Sequence, residues 1–353
     1  MLNRPMSRLA TVAATAGTVC VLGAAAAGAA AVPASSWSGP RGPVPHAHSN
    51  ATPALTQIFL TVTGRSGTLV AWKGQVNDDV FYITKISGHW SAAHAIPGAR
   101  TSAGPSVGFY PDPTGHAAVL AVWKQLGGRR IMYSQGQTHS NGTITWTAPV
   151  AISHSKFSTT GTAPAVFFPG NAPHARVVVA WRGPFNHVRY SVGTPSGRHF
   201  RWSSSHWLSS ASNTRTSAAP ALAEVQTGKA TGKLYVFWKG YKSTQVRYAT
   251  TSDPLSISKS GLKWSAAAVV PGAATGAGPT ASALGSHLAG PLGLAYKAPH
   301  SLGVRFQTLA GSVWSPSSVV PQATTAVGPA LLRGTLATTS PNASGRIFLH
   351  IFS

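Results

Sequence analysis

Acidic residues are almost absent from this chain of 353 residues. Only five Asp and Glu accompany 28 Lys and Arg, which gives a formal net charge of +23 with His neutral. The acids are Asp78, Asp79, Asp112, Glu224 and Asp253. Most glycosidases need a pair of carboxyl groups around the sugar, so this shortage argues against hydrolysis. It also predicts little loss of stability in acid, because acid unfolding is mostly the protonation of paired carboxylates.

Cysteine is equally scarce, and Cys20 is the only one. It lies in an apolar, alanine-rich stretch, 9–31, that follows Arg4 and Arg8 and precedes small residues suited to cleavage. This pattern predicts a secretory signal peptide over residues 1–34 and a secreted, disulfide-free protein, free or associated with the cell wall. No other run is long and apolar enough to span a bilayer, so we expect no transmembrane segment.

The mature chain also lacks a sustained apolar period of 3.6 residues, which argues against helices. Instead, one sequence motif occurs six times: a Trp followed by Ser or Thr and, 15 to 18 residues after the Trp, a Pro that precedes an apolar run. The copies begin at Trp37, Trp90, Trp146, Trp202, Trp264 and Trp314, and their prolines are Pro53, Pro105, Pro164, Pro220, Pro279 and Pro329. Repetition at a period near 50 residues indicates stacked or radial units.

Four short runs align within each period, and their composition is typical of strands. Run a follows the Pro and is rich in small residues, run b ends in an aromatic residue and a cation, run c carries a Tyr or Phe, and run d starts at the repeated Trp. Four antiparallel strands per radial unit form a β-propeller blade, with the small run a nearest the axis. We therefore predict one all-β domain over residues 35–353, a monomeric six-bladed β-propeller.

The two ends of the chain predict how the ring closes. The chain starts with run d at Trp37, and it ends after an a run, Ala330 to Leu332, and a b-like run, Ile347 to Ile351. A blade shared by both ends would remove an exposed sheet edge. Because no run c is recognisable there, we expect a three-stranded or irregular closing blade. A five-bladed ring with frayed extra strands is the alternative.

The Ala-Trp-Lys of run b, the Val-Arg-Tyr of run c and the Trp-Ser of run d resemble repeats of secreted sialidase-like and fucose-lectin-like propellers, common in actinobacteria. The resemblance covers roughly residues 35–353, and it is specific for fold but weak for activity. The sialidase Arg-Ile-Pro motif is absent. The two nearest Asp-box sequences end at Trp146 and Trp264 and have Asn141 and Lys259 at the Asp position.

A cation follows the run b aromatic residue in all five complete repeats. These cations are Lys73, Lys124, Arg182, Lys239 and Lys297. At one height in five blades, they would form a basic ring that could hold acidic sugars or phosphates. The alternative is that a cation at a strand end only limits edge pairing and aids solubility.

Two further residues are candidates for ligand binding. Trp207 lies outside the repeat register, so we expect it to be exposed, and Asp79 lies beside Asp78 in the turn between runs b and c. The run b tryptophans are instead expected in the core: Trp72, Trp123, Trp181 and Trp238. Three arginines recur at one run c position and are expected to be solvated on the outer half of the blades: Arg189, Arg247 and Arg305.

The sequence predicts no cofactor and no metal site. His46 and His48 have no third ligand close in sequence, and HExxH, a phosphate-binding Gly loop and a recognisable Ser-His-Asp arrangement are all missing. We predict a non-catalytic, lectin-like propeller that binds acidic or cell-surface glycans in clefts repeated between blades. The alternatives are a degenerate sialidase-like hydrolase and a cationic scaffold held on anionic cell-wall polymers. Specific nucleic-acid binding is not expected, because the basic residues match no recognised module.

Overall fold

The computed structural model describes residues 36–60, 64–111, 117–153, 165–167, 176–197, 199–209, 212–225, 232–251, 261–285, 290–342 and 344–352. The predicted signal peptide, Asp112 and Asp253 lie outside these residues. Within them, every regular element is a strand except two short 3-10 turns, Pro184–Asn186 and Ser212–Thr214. A membrane-spanning helix is not found among the residues described.

The strands form six antiparallel sheets, which are the blades. Blade 1 contains β2 (Ala54–Leu60), β3 (Arg65–Lys73), β4 (Asp79–Ile86), β5 (His89–Trp90) and β6 (His94–Arg100). Blade 2 contains β7 (Ser106–Pro111), β8 (Ala117–Lys124), β9 (Ile131–Thr138), β10 (Ile144–Trp146) and β11 (Val150–Ala151). Blade 3 contains β12 (Ala165–Phe167), β13 (Val177–Arg182), β14 (Val188–Ser196), β15 (His199–Trp202) and β16 (His206–Trp207). Blade 4 contains β17 (Ala221–Val225), β18 (Lys233–Lys239), β19 (Gln245–Thr251) and β20 (Ala268–Ala274). Blade 5 contains β21 (Thr280–Ala283), β22 (Leu292–Lys297), β23 (Gly303–Ala310), β24 (Val313–Trp314) and β25 (Ser318–Thr324). Blade 6 contains β26 (Ala330–Leu332), β27 (Thr335–Thr339), β28 (Arg346–Ile351) and β1 (Pro43–His48).

The first strands of the six blades surround the axis and close a ring. Each lies against the first strand of the next blade, and β26 of blade 6 returns to β2 of blade 1. The prediction of six blades is therefore confirmed. At one end the axis holds a cavity of about 120 Å³, and repeat prolines line it: Pro53, Pro105, Pro220, Pro279 and Pro329. We call this end of the molecule the proline face.

The repeated Trp-Ser/Thr pair lies at the point where the outermost segment of each blade separates from the third strand. In blade 5 the Ser315 amide donates to the Thr308 carbonyl (2.8 Å), and the Thr308 amide donates to Ser315 Oγ (2.9 Å). The same two bonds occur at Ser38, Ser91, Thr147, Ser203 and Ser265. The hydroxyl thus takes the place of a backbone acceptor, which keeps the buried amide paired and explains why only Ser or Thr follows the Trp.

The repeated tryptophans connect neighbouring blades. Five of the six pack edge-on against the third-strand aromatic residue of the blade before them: Tyr82–Trp146 (5.5 Å between ring centroids), Tyr133–Trp202 (5.4 Å), Tyr190–Trp264 (5.7 Å), Tyr248–Trp314 (5.9 Å) and Phe306–Trp37 (5.0 Å). This geometry is favourable for aromatic rings. The second-strand tryptophans are 0–2% exposed, which confirms the core prediction: Trp72, Trp123, Trp181 and Trp238. Tyr296, at the same position in blade 5, is 0% exposed.

Blade 6 is built from both ends of the chain, as predicted, but it has four strands rather than three. Strand β28 pairs with β27 on one side and with the N-terminal β1 on the other. The run Ile347 to Ile351 is therefore the third strand of the blade, not the second. The second strand, β27, lacks the repeat signature because Thr338 and Thr339 replace the aromatic residue and the cation.

A histidine in this closing blade should make the protein sensitive to acid. His350 is 1% exposed, and its Nε2 lies 3.3 Å from Thr338 Oγ1. Burial lowers the pKa of His350 from 6.5 to about 4. The unfolded chain therefore takes up a proton before the folded one, so stability is complete above about pH 6.5 and falls toward pH 4. The expected loss is up to about 3 kcal/mol.

Urea unfolding at pH 7.5, 5.5 and 4.5 measures this loss, and His350→Gln should flatten the profile. Parallel profiles for the two proteins would contradict the assignment to His350. Few carboxylates are available to be protonated in acid, but this buried histidine adds an acid sensitivity of its own.

Candidate ligand-binding site

The predicted basic ring lies on the proline face. Ala54 pairs with Ala71, so strand β3 ends beyond the start of β2, and Lys73 lies on the same face as Pro53. The register is the same in the other complete blades whose inner strand pairs in this way. All five cations therefore end the second strand at a common height.

Four of these cations form hydrogen bonds within the protein. The bonds run from Lys73 Nζ to Asn50 Oδ1 (3.2 Å), from Lys124 Nζ to Ser102 Oγ (3.3 Å), from Lys239 Nζ to Ser217 Oγ (2.7 Å), and from Arg182 Nε to Asn186 Oδ1 (2.9 Å). The three lysines bind the connection that enters their own blade, and Lys124 is only 1% exposed. Burial lowers the pKa of Lys124, Arg182 and Lys239. These contacts give the ring a structural role, and ligand binding by its members stays a prediction.

Lys297 differs from the other ring members. The connections between blades share a Ser/Thr-x-Ala sequence, whose hydroxyl bonds the amide two residues ahead. In the three lysine hydrogen bonds given above, the side chain at position x accepts the bond from the lysine ammonium. Before blade 5 this residue is Gly276, which has no side chain to accept a bond. Among the residues described, the Lys297 ammonium has no hydrogen-bond partner.

Trp207 is 39% exposed, which confirms the prediction that it lies at the surface. Its ring is not an open platform. The Arg189 guanidinium lies 5.0 Å from its centroid, and the His187 ring lies 4.7 Å from it. Arg189 also donates to the Ser205 carbonyl (3.0 Å), so it is half-buried rather than solvated. The role of Trp207 in ligand binding stays a prediction.

Of the three acids that the structure describes, two lie beside cations in blade 1 and the third lies in blade 4. Asp78 Oδ1 lies 3.1 Å from Lys73 Nζ, and Asp79 Oδ1 lies 3.5 Å from Arg100 Nε, both on the proline face of blade 1. Glu224 is buried in blade 4 near the opposite end of the inner strand. Among the residues that the structure describes, no three His, Cys, Asp or Glu side chains are grouped so that they could hold a metal ion.

The face opposite the prolines carries a cleft that the sequence did not reveal. It lies between blade 6 and blade 1 and has a volume of about 330 Å³. Its polar lining comes from both blades: Gln57, Ser66, Thr68, Lys85, Ser87, Arg333 and Thr335. Gln57 and Arg333 stand at opposite ends of the chain, and ring closure alone brings them together.

Two cations without acidic partners face this cleft. Arg333 occupies the tight turn between β26 and β27 with a φ of 45°, a strained value for a residue with a side chain. Burial lowers the pKa of its guanidinium. Lys85 lies with its Nζ 5.3 Å from the centroid of the Trp90 ring. Within the described chain, neither cation forms an ion pair.

An unsatisfied acceptor completes the cleft. Gln57 Oε1 is buried and has no hydrogen-bond partner in the described chain. Leaving a buried polar group unpaired costs about 1–3 kcal/mol, which a ligand hydroxyl or amide could recover. The cleft therefore offers a positive end, an acceptor and several hydroxyls. This combination suits a ligand that carries both a negative charge and hydroxyl groups.

No known family model matches this chain, and no curated protein does. Solved structures do match. The Aleuria aurantia lectin, described as a six-bladed β-propeller that recognises fucose, has a TM-score of 0.54 and 10% identity, covering 78% of this chain and 80% of its own. A variant of AofleA from Arthrobotrys oligospora has a TM-score of 0.54 and 8% identity, covering 77% and 74%. The NanB sialidase from Streptococcus pneumoniae has a TM-score of 0.54 and 10% identity, covering 88% and 69%. At these identities the likeness shows the fold alone.

Proposed function

We propose that this propeller is a non-catalytic carbohydrate-binding protein that recognises an acidic sugar in the cleft between blades 6 and 1. The observation that carries the proposal is the meeting of Arg333 and Lys85 with the unpaired Gln57 Oε1. A sugar carboxylate would accept hydrogen bonds from the two cations. A neighbouring sugar hydroxyl would donate to the Gln57 oxygen.

Two further considerations support a glycan ligand. The Aleuria aurantia lectin binds sugar on the same fold, so a six-bladed ring is a suitable scaffold for this task. The proposed signal peptide over residues 1–34 would export the protein to the cell exterior or the wall, where acidic glycans are present. The proposal needs no cofactor, since binding by charge and hydrogen bonds is sufficient.

Binding should depend on the sugar carboxylate and on Arg333. Calorimetry at low salt should show that methyl glucuronide binds and that methyl glucoside, which lacks the charge, binds much more weakly. Arg333→Gln or Lys85→Gln should weaken glucuronide binding about 10-fold or more, because each removes a charge-assisted hydrogen bond. Lys233→Gln is the matched control, since Lys233 also lies over an aromatic ring, that of Tyr235, but in blade 4.

Three results would contradict this proposal. One is a glycan array that shows no acidic ligand at low salt. Another is an equal loss of glucuronide affinity in the Lys233→Gln control. The third is turnover of a fluorogenic sialoside that is abolished by substituting Asp78 or Asp79, which would establish the sialidase-like alternative instead.

The cationic-scaffold alternative is supported by the net charge of +23, and salt separates it from sugar recognition. Attraction between exposed charges is screened beyond about 8 Å at physiological ionic strength. A protein held on wall polymers by surface charge alone should be released from the envelope by high salt. Glucuronide in a partly enclosed cleft should keep most of its affinity under the same conditions.

A further inference from the structure

A second concave site lies on the proline face, where blade 3 meets blade 4. This groove has a volume of about 190 Å³. It is lined by Asn213 and Arg215, from the connection that leaves blade 3, and by Gly240, Tyr241, Ser243 and Arg247 of blade 4. It is separate from the cleft between blades 6 and 1, which opens on the other face and is called the sugar cleft below because of the ligand proposed for it.

The groove carries several donors that the protein does not use fully. The Arg215 guanidinium lies 4.3 Å from the centroid of the Tyr241 ring, and only its Nε has a hydrogen bond within the described residues, to the Phe185 carbonyl (3.0 Å). Ser243 Oγ accepts from the Gln245 amide (3.1 Å), and its own proton has no acceptor there. Arg247 lies at the rim and donates to the Gln245 side chain (3.0 Å).

Positive charge gathers at this groove without a carboxylate to balance it. In blade 1 the residue before the connecting Thr is Arg100, and it pairs with Asp79 (3.5 Å). In blade 3 the equivalent residue is Arg215, but His187 stands opposite it. Burial and the nearby Arg215 both lower the pKa of His187, which favours its neutral form, so Arg215 faces a neutral side chain where Arg100 faces a carboxylate. Lys242 adds a cation 5.7 Å from the Tyr241 ring.

The next junction provides a natural comparison. The groove between blades 4 and 5 has the same position in the fold and a volume of about 430 Å³. There Ala274 replaces Arg215, Pro299 replaces Tyr241, and Arg305 is the equivalent of Arg247. A groove thus occurs at both of these junctions, but the two guanidinium groups line only the one between blades 3 and 4.

We propose that the groove between blades 3 and 4 binds a phosphate or sulfate group of a polyanion. Guanidinium groups form strong, charge-assisted bonds to such oxyanions. Arg215, Arg247 and the Ser243 hydroxyl approach from two blades, so they suit a tetrahedral oxyanion better than a planar carboxylate. A polymer could pass along the open rim while one phosphate or sulfate group occupies the groove.

Titration of the whole protein with sodium polyphosphate, dextran sulfate, polygalacturonate and neutral dextran tests this assignment. In the Arg333→Gln protein, in which the cleft between blades 6 and 1 has lost its guanidinium, polyphosphate or dextran sulfate should bind more tightly than polygalacturonate, and whichever binds better shows whether the groove prefers phosphate or sulfate. Arg247→Gln should weaken that binding about 10-fold. Arg305→Gln removes the same charge from the same strand position one blade away, and it should change affinity by less than about twofold.

An equal loss in Arg247→Gln and Arg305→Gln would overturn the proposal, because it would mean that only net charge matters. Tighter binding of the carboxylate polymer by the Arg333→Gln protein, in which the cleft between blades 6 and 1 has lost its guanidinium, would also overturn it. Arg215→Gln should repeat the Arg247→Gln effect from the other side of the groove, and thermal melting shows whether each variant is folded. Arg333→Gln, which alters the sugar cleft, should leave polyanion binding unchanged, so the two proposals can fail separately.

Discussion

Replacing Trp238 with Ala should lower the free energy of unfolding by about 3–5 kcal/mol, the usual cost of deleting a large buried aromatic side chain. Trp238 is 0% exposed and packs between blades 3 and 4 with Tyr190 and Val236. Its Nε1 also donates to the Asn213 carbonyl (3.2 Å), which holds the connection between these blades. Single domains are stable by only about 5–15 kcal/mol, so the variant should unfold at a much lower urea concentration.

Trp207→Ala is the matched control for this experiment. It deletes the same side chain from the neighbouring blade, but Trp207 is 39% exposed and contacts the Arg189 guanidinium and the His187 ring at the surface. Loss of an exposed cation–π contact costs about 0.5–1 kcal/mol. Urea unfolding followed by circular dichroism should separate the two variants clearly. Equal destabilisation would contradict the view that second-strand tryptophans such as Trp238 form the core and that Trp207 does not.

The architecture could be predicted because each blade repeats one set of physical requirements. The Trp fills the space between blades, the following hydroxyl caps a free amide, and the Pro stands beside the axis. Ser315 and Ser38 make the same two bonds although they lie at opposite ends of the chain. A requirement repeated six times is visible in a single sequence.

The closing blade was predicted less well because it departs from these requirements. Strand β27 is Thr-Leu-Ala-Thr-Thr, and its Thr339 hydroxyl, where other blades have a cation, donates to the Ala51 carbonyl (3.3 Å). Leu349 stands where other blades have a third-strand Tyr or Phe, and it packs in the same cluster as Trp90. Each substitution preserves packing or hydrogen bonding while it removes the pattern that identifies the strand.

The candidate sites could be predicted only in part, because they depend on contacts between blades. The position of the basic ring followed from strand alternation. The bonding of its members did not, because the acceptors Asn50, Ser102 and Ser217 belong to connecting segments that resemble ordinary turns. The sugar cleft was missed entirely. A useful clue is Arg333-Gly334, a two-residue turn that places a cation with positive φ immediately after an inner strand.

Removing the first 48 residues should open the ring and destabilise the whole domain. The deletion takes away strand β1 and the buried side chains of Trp37, Val44 and Ala47, which are 1–5% exposed. Burial of such side chains contributes roughly 1–3 kcal/mol each, so the loss should exceed about 4 kcal/mol. It also exposes the edge of β28, which invites pairing between molecules. We expect a melting temperature lower by about 10 °C and oligomers in size-exclusion chromatography.

A chain that begins at residue 36 is the control, because it also lacks residues 1–35 but keeps Trp37 and strand β1. It should be monomeric and should melt at the temperature of the protein that has lost only residues 1–34. A synthetic peptide of residues 36–48 should add to the open edge of the shorter chain as a fourth strand and restore its stability. If the shorter chain stays monomeric with an unchanged melting temperature, the N-terminal strand does not hold the ring closed, and the sugar cleft between blades 6 and 1 would have to be stable without it.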